Sequence, residues 1–179
     1  SEPRGICGSG LVDLTAALLD LGAIDKSGRL LPPEETPPSL RRFVRPDGRG
    51  NGVFHLTDRV YLTAEDVRSL QLAKAAVAGG IEVLLRQRDM YAAALDGVYI
   101  AGGFGSYIDP DSAVAIGMLP QLPRGKLRCL GNTALAGASM AALNGEERRR
   151  LGRIAANCRY IELSGRQDFA RAFTDHMVF

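Results

Sequence analysis

The apolar positions of this chain fall into short, sharply punctuated blocks. Over residues 11–21, Leu11, Leu14, Leu18 and Leu21 recur at helical spacing. Ser9 is placed to cap that helix and Gly22 to end it. Residues 63–88 carry the longest helical pattern, with Val67, Leu70, Val77, Ile81 and Leu84 as the predicted buried stripe. Thr63 and Asp66 have the spacing of a capping box there. Lys74 falls inside the stripe and Gln71 on its shoulder. A lysine so placed must snorkel, pair with a carboxylate or face a polar cavity. Gly79-Gly80 in mid-helix costs roughly 1–2 kcal/mol in propensity. The pair therefore predicts close backbone approach by a neighbouring element.

The second half alternates strand and helix signals. Residues 98–101 predict a central parallel strand that stops at Gly102-Gly103-Phe104-Gly105. Asp109 then caps a short helix with Pro110 in its first turn, closed by Gly117 and Pro120. Residues 127–130 predict a second buried strand. Asn132 caps a small-residue helix over 133–143, which Gly145 ends. A charged surface helix follows over 146–156, its three successive arginines pairing locally with Glu146 and Glu147. Residues 160–163 read as a last strand. Ser164 caps a final helix with Phe169, Phe173 and Met177 on one face and His176 near its end.

Residues 26–62 break this rhythm. The proline-rich stretch 32–38 excludes a helix interior or a central strand and predicts an exposed loop. The turn signal at residues 47–52 (DGRGNG), flanked by apolar runs, predicts a small antiparallel excursion. Arg41, Arg42, Arg45 and Arg49 make it basic, either as a solvated edge or as a docking surface. His55 has no ligand partner nearby in sequence and reads as structural.

Composition changes this picture only by exclusion. A net charge of +2 gives no electrostatic reason to expect nucleic acid or an anionic membrane. Three scattered cysteines without a CxxC argue against a zinc or iron–sulfur site and suit a reducing, cytoplasmic setting. The longest apolar run is too short to span a bilayer, and no signal peptide is recognisable. The chain starts at Ser1 and reaches GICGSG almost at once, which suggests either a fragment of a longer protein or an expression scar.

The usable chemistry lies in three turns, GICGSG, AGGFGSYIDP and LGNTALAGA, all of which open helices. No Walker A loop and no G-x-G-x-x-G occur, and no Ser–His–Asp set or metal cluster is visible. Asp20-Leu21-Gly22 matches a phosphate-hairpin opening only by chance, since it ends a helix. Together with Lys74 the turns would line one cleft at the strand ends, where α/β sheets bind ligands.

In order along the chain, GICGSGLVDL, DVRSLQLAKAAVAGGIEVLL, VYIAGGFGSYIDPDSAVAIGMLP, LGNTALAGASMAAL and YIELSG look like one known set. They resemble the C-terminal ATPase region of reductive activators of corrinoid proteins. Those activators belong to the superfamily of acetate and sugar kinases, heat-shock ATPases and actin (ASKHA). The resemblance covers nearly the whole chain and is weakest over residues 26–62.

It implies an α/β, ribonuclease H-like (actin-like ATPase) lobe, a mixed sheet flanked by helices, with a loop and β insertion at about residues 26–62. It also implies a cytoplasmic enzyme that uses ATP to return a corrinoid protein from Co(II) to Co(I) for methyl transfer. That enzyme carries a [2Fe–2S] domain outside this chain, binds ATP with magnesium largely through upstream hairpins, and is a homodimer when full-length. By motif, Gly102, Gly103 and Phe104 would form the adenosine-contacting turn. Gln71 and Lys74 lie on the helix flanking adenine and ribose, Gly8, Ser9 and Gly10 approach the nucleotide, and Asn132 and Gly137 mark the helix that closes the core. This chain then supplies the adenosine-side half of a site. The alternatives are a non-catalytic docking or dimerisation module, or an activase or kinase of the same superfamily.

Overall fold

The computed structural model describes residues 3–103, 106–123 and 125–179. Among these residues, six α-helices and five strands run in the order α1 (Gly8–Asp20), β1 (Val44–Pro46), β2 (Gly52–His55), β3 (Tyr61–Leu62), α2 (Ala64–Arg86), β4 (Val98–Ala101), α3 (Pro110–Ala115), β5 (Leu127–Gly131), α4 (Thr133–Leu143), α5 (Gly145–Asn157) and α6 (Gln167–Asp175). The strands form two separate sheets. β1, β2 and β3 make an antiparallel meander, and β4 pairs in parallel with β5.

The antiparallel excursion forms where the turn signal predicts it. Asp47 Oδ1 accepts from the Arg49 and Asn51 amides, and Asn51 Nδ2 donates to Asp47 Oδ2. This closes the β1–β2 connection by an aspartate turn rather than by packing. The arginines are engaged locally. Arg45 pairs with Asp58 at 3.2 Å, Arg41 donates to the Thr36 carbonyl, and Arg42 lies over the Phe43 ring. His55 stacks against Tyr61 across the β2–β3 pair.

α2 is organised by its ends and by its contact with α6. Thr63 and Asp66 form a reciprocal capping box. A Cβ on Gly79 would meet backbone atoms of Ala172 and Phe173 on α6, and one on Gly80 would meet a Leu163 methyl. Gly79 thus admits the α6 backbone, the close approach that the glycine pair predicted, while Gly80 meets only a side chain. The core has two parts. One joins Leu18, Ile24, Leu30, Val44, Phe54, Leu62 and Val67. The other joins Val12, Leu70, Ile108, Ala113, Ile116 and Met118, and the Phe179 ring packs against both.

Several sequence expectations are corrected. Cys7, not Ser9, caps α1, because the helix already begins at Gly8 and the Cys7 thiol accepts from the Gly10 amide. Leu21 is exposed, since the helix ends before it and burial passes to Val12, Thr15, Ala16 and Leu18. Val77 and Leu84 are also exposed: α6 covers the glycine side of α2 and rotates the buried face onto Lys74, Ala75, Ala78 and Val83. The proline-rich stretch is not wholly exposed, because Pro32 and Thr36 are buried and the Thr36 hydroxyl donates to the Leu31 and Pro32 carbonyls.

Gly145 opens α5 rather than merely ending α4, with Asn144 as the cap that serves the Glu146 and Glu147 amides. Residues 160–163 form no strand. The Glu162 carboxylate instead gathers the Tyr160 hydroxyl and the Ser164 amide. Arg166, held to Asp168 at 2.7 Å, occupies the position expected for Ser164 at the start of α6.

The residues of β4 and β5 are not buried. Parallel strands are normally covered on both faces, yet Tyr99 is 61% exposed and Leu130 51%. α4 buries no residue, leaving Leu135, Met140 and Leu143 open. Among the described residues nothing buries any face of α4.

Candidate nucleotide-binding turn

β4 ends at Ala101, and the chain reverses through Gly102 with φ of +97°. An L side chain rarely adopts that conformation, so glycine is required there. The Gly102 amide donates to the Gly131 carbonyl at 2.8 Å, tying the end of β4 to the end of β5. The Ser106 hydroxyl donates back to the Gly102 carbonyl at 3.1 Å. Built Cβ atoms on Gly102 and on Gly103 meet nothing within 4 Å, so the turn presents bare backbone to open space. Such a surface admits a flat or bulky ligand against the main chain. Phe104 lies outside the described residues.

Asn132 follows Gly131 directly, and its Oδ1 accepts from the Leu135 amide at 3.1 Å as the cap of α4. The structure therefore places Gly102, Gly103, Gly131 and Asn132 at one end of the parallel pair. Gly137 sits on α4 with nothing near its Cβ position. On the other side of the turn, Asp109 Oδ1 accepts from the Asp111 and Ser112 amides and starts α3.

Gln71 and Lys74 are not brought to this turn. Gln71 is buried, its amide donates to the Ser27 carbonyl at 2.8 Å, and Gly28 packs flat against it. Lys74 is only 1% exposed, and its Nζ donates to the Val178 carbonyl with the Phe179 ring 5.4 Å away. Burial lowers its pKa below the ordinary lysine value. The helical period placed Lys74 inside the buried stripe and Gln71 on its shoulder, and both are buried. What they face is set by the segments around Ser27 and Val178, which are distant in sequence.

Gly8, Ser9 and Gly10 form the first turn of α1. Among the described residues no hydrogen bond joins them to the Gly102–Gly103 turn. Cys7 precedes them, and its exposed thiol lies 3.4 Å from the Ser9 hydroxyl. That hydroxyl and the Gly10 amide hold the Cys7 pKa below the ordinary value. Gly131 belongs to the LGNTALAGA turn that the sequence pointed to, and the structure shows its part: its carbonyl accepts from the Gly102 amide.

Among the described residues there is no cluster of side chains suited to a metal ion, and no helix is long and apolar enough to cross a membrane.

Comparisons with known proteins place the chain in a family. The chain is 32% identical over its whole length to the corrinoid activation enzyme RamQ of Eubacterium limosum and spans 32% of that protein. The solved structure of a reductive activator for corrinoid, iron–sulfur protein superposes with a TM-score of 0.84 at 33% identity, covering 97% of this chain and 28% of that one. The chain thus spans about a third of these relatives. Together with this likeness, the helices flanking the β4–β5 pair are those of an actin-like ATPase fold. A family model, the C-terminal domain of RACo, the ASKHA domain, matches residues 1–179, and the chain belongs to that family.

Proposed function

We propose that this chain is the adenosine-side half of the nucleotide site of an ATP-dependent reductive activator that returns a corrinoid protein from Co(II) to Co(I). Its family and the two relatives described above, a corrinoid activation enzyme and a reductive activator, support a role in corrinoid activation. The observation that carries the nucleotide part is the Gly102–Gly103 turn, pinned to Gly131 and open to solvent. ATP supplies the free energy for an electron transfer that is otherwise uphill. The chain's own contribution is positional: Gly102 and Gly103 leave room for the nucleoside, and Asn132 fixes the start of α4 beside it.

The uncovered faces of β4, β5 and α4 support the half-site reading. A two-stranded parallel sheet is a poor independent unit. On this reading, strands carried elsewhere in the whole protein complete the sheet and bring the phosphate- and magnesium-binding groups. The [2Fe–2S] cluster, the homodimer and the cytoplasmic setting belong to the same proposal.

The test is Gly103→Val in the full-length activator. The new side chain points into open space, so folding is expected to survive while the space for the nucleoside is filled. ATP-stimulated reduction of the corrinoid protein is expected to fall at least tenfold, about 1.4 kcal/mol. Undiminished ATP stimulation in a folded variant would overturn the assignment and favour a scaffold role.

A further inference from the structure

A cavity of about 540 Å³ lies between the second half of α2, residues 90–92, the end of α3 and His176. It shares no lining residue with the Gly102–Gly103 turn. Its walls are apolar, formed chiefly by Ala78, Ile81, Leu85, Val114, Leu119 and Pro120. Cavities of this size and character are those that take small organic ligands.

The charges around it do not cancel. Glu82 is the single carboxylate in its lining, and it is fully engaged: Oε2 meets His176 Nε2 at 2.8 Å, and Oε1 meets Arg86. Behind the lining sits Lys74. A Cβ on Gly117, itself a lining residue, would come 3.2 Å from Lys74 Nζ. Lys74 Nζ therefore lies against Gly117, a residue of the cavity wall. Lys74 spends one donor on the Val178 carbonyl, and among the described residues no carboxylate stands within ion-pair distance of it. Glu82 offsets Arg86, so the lysine charge is left without a counterion. Behind low-dielectric walls such a charge acts at longer range than in water.

We propose that this cavity binds a small monoanion with an apolar body, an aromatic or branched aliphatic carboxylate or sulfonate. The hydrocarbon lies against the α2 and α3 walls. The anionic group lies at the Gly117 end, over Lys74 and beside His176. This assignment is independent of the nucleotide turn and uses none of its residues.

Two fluorescent probes of nearly the same shape test it in the full-length protein. 1-Anilinonaphthalene-8-sulfonate carries the anion, and N-phenyl-1-naphthylamine is its neutral counterpart. The sulfonate is expected to bind saturably at one site, about tenfold tighter than the neutral probe. Val114→Trp fills the cavity and is expected to remove the saturable binding of both; Ile81→Trp, from the facing wall, serves if that variant does not fold. Lys74→Met is expected to abolish the preference for the sulfonate while neutral-probe binding persists, which also shows that the cavity survives the substitution. Equal affinity for the two probes in the wild type, a preference that survives Lys74→Met, or binding unaffected by either tryptophan would each overturn the proposal.

Discussion

Gly79 of α2 touches the backbone of Phe173 on α6: a Cβ at Gly79 would stand 3.1 Å from the Phe173 amide nitrogen. The neighbouring Gly80 meets only a Leu163 methyl at 3.5 Å, an ordinary contact with a movable side chain. Two adjacent glycines therefore have different worth. Gly79→Val must push one helix off another and is expected to destabilise the chain by about 2 kcal/mol. Gly80→Ala relieves a poor helix former without a backbone clash and is expected to stabilise by about 0.5–1 kcal/mol. Urea unfolding of the two variants gives opposite shifts of midpoint if this is right, and shifts of the same sign otherwise.

The capping box at the start of α2 is local and separable from that contact. Thr63 accepts from the Asp66 amide at 3.2 Å, while the Asp66 carboxylate accepts from the Thr63 amide at 2.9 Å. Thr63→Ala removes one half of it and is expected to cost about 1 kcal/mol. The unfolding slope with denaturant should stay constant while the midpoint falls; a changed slope would mean that more than the cap was lost.

Lys74 gives a pH signature of defined sign. Its folded pKa is lowered by burial from the ordinary 10.5. Between the lowered value and 10.5 the unfolded chain binds more protons than the folded one. The contribution of Lys74 to stability therefore rises with pH across that window. Below the window burial of the charged amine weighs against folding; above it the penalty is gone. Wild-type stability measured relative to Lys74→Met is expected to climb as pH approaches 10.5, and a flat difference would contradict it.

A chain that holds only the adenosine side of a nucleotide site should bind ATP poorly by itself. Isothermal titration of residues 1–179 with ATP and magnesium is expected to show no saturable binding at micromolar concentration, and phosphate-release assays no turnover. Micromolar affinity or clear hydrolysis in this chain would place the phosphate-binding groups here and defeat the half-site proposal.

Local chemistry was readable from the order of residues. Asp109 with Pro110, Thr63 with Asp66 and Asn132 before Thr133 all start helices where the pattern predicts. Each works through hydrogen bonds to amides only two or three residues away, so neighbours in sequence suffice. The Gly102 turn was legible for the same reason, since its left-handed backbone demands glycine whatever surrounds it. The predicted strand over residues 160–163 failed because a strand needs a partner, and Glu162 draws the local donors to itself instead.

Which face of each element is covered was decided only in three dimensions. Leu84 and Val77 fit a helical stripe as well as Ala78 and Val83 do, but the approach of α6 to Gly79 chose the second set. Lys74 was recognisably inward-facing, yet its partner is the Val178 carbonyl, a contact spanning more than a hundred positions that no periodicity encodes. The sequence by itself determined where backbone turns and helices begin, because those depend on short-range sterics and hydrogen bonds. The tertiary structure alone decided what the buried polar groups face and which apolar faces stay open, because burial is a property of elements brought together from distant parts of the chain.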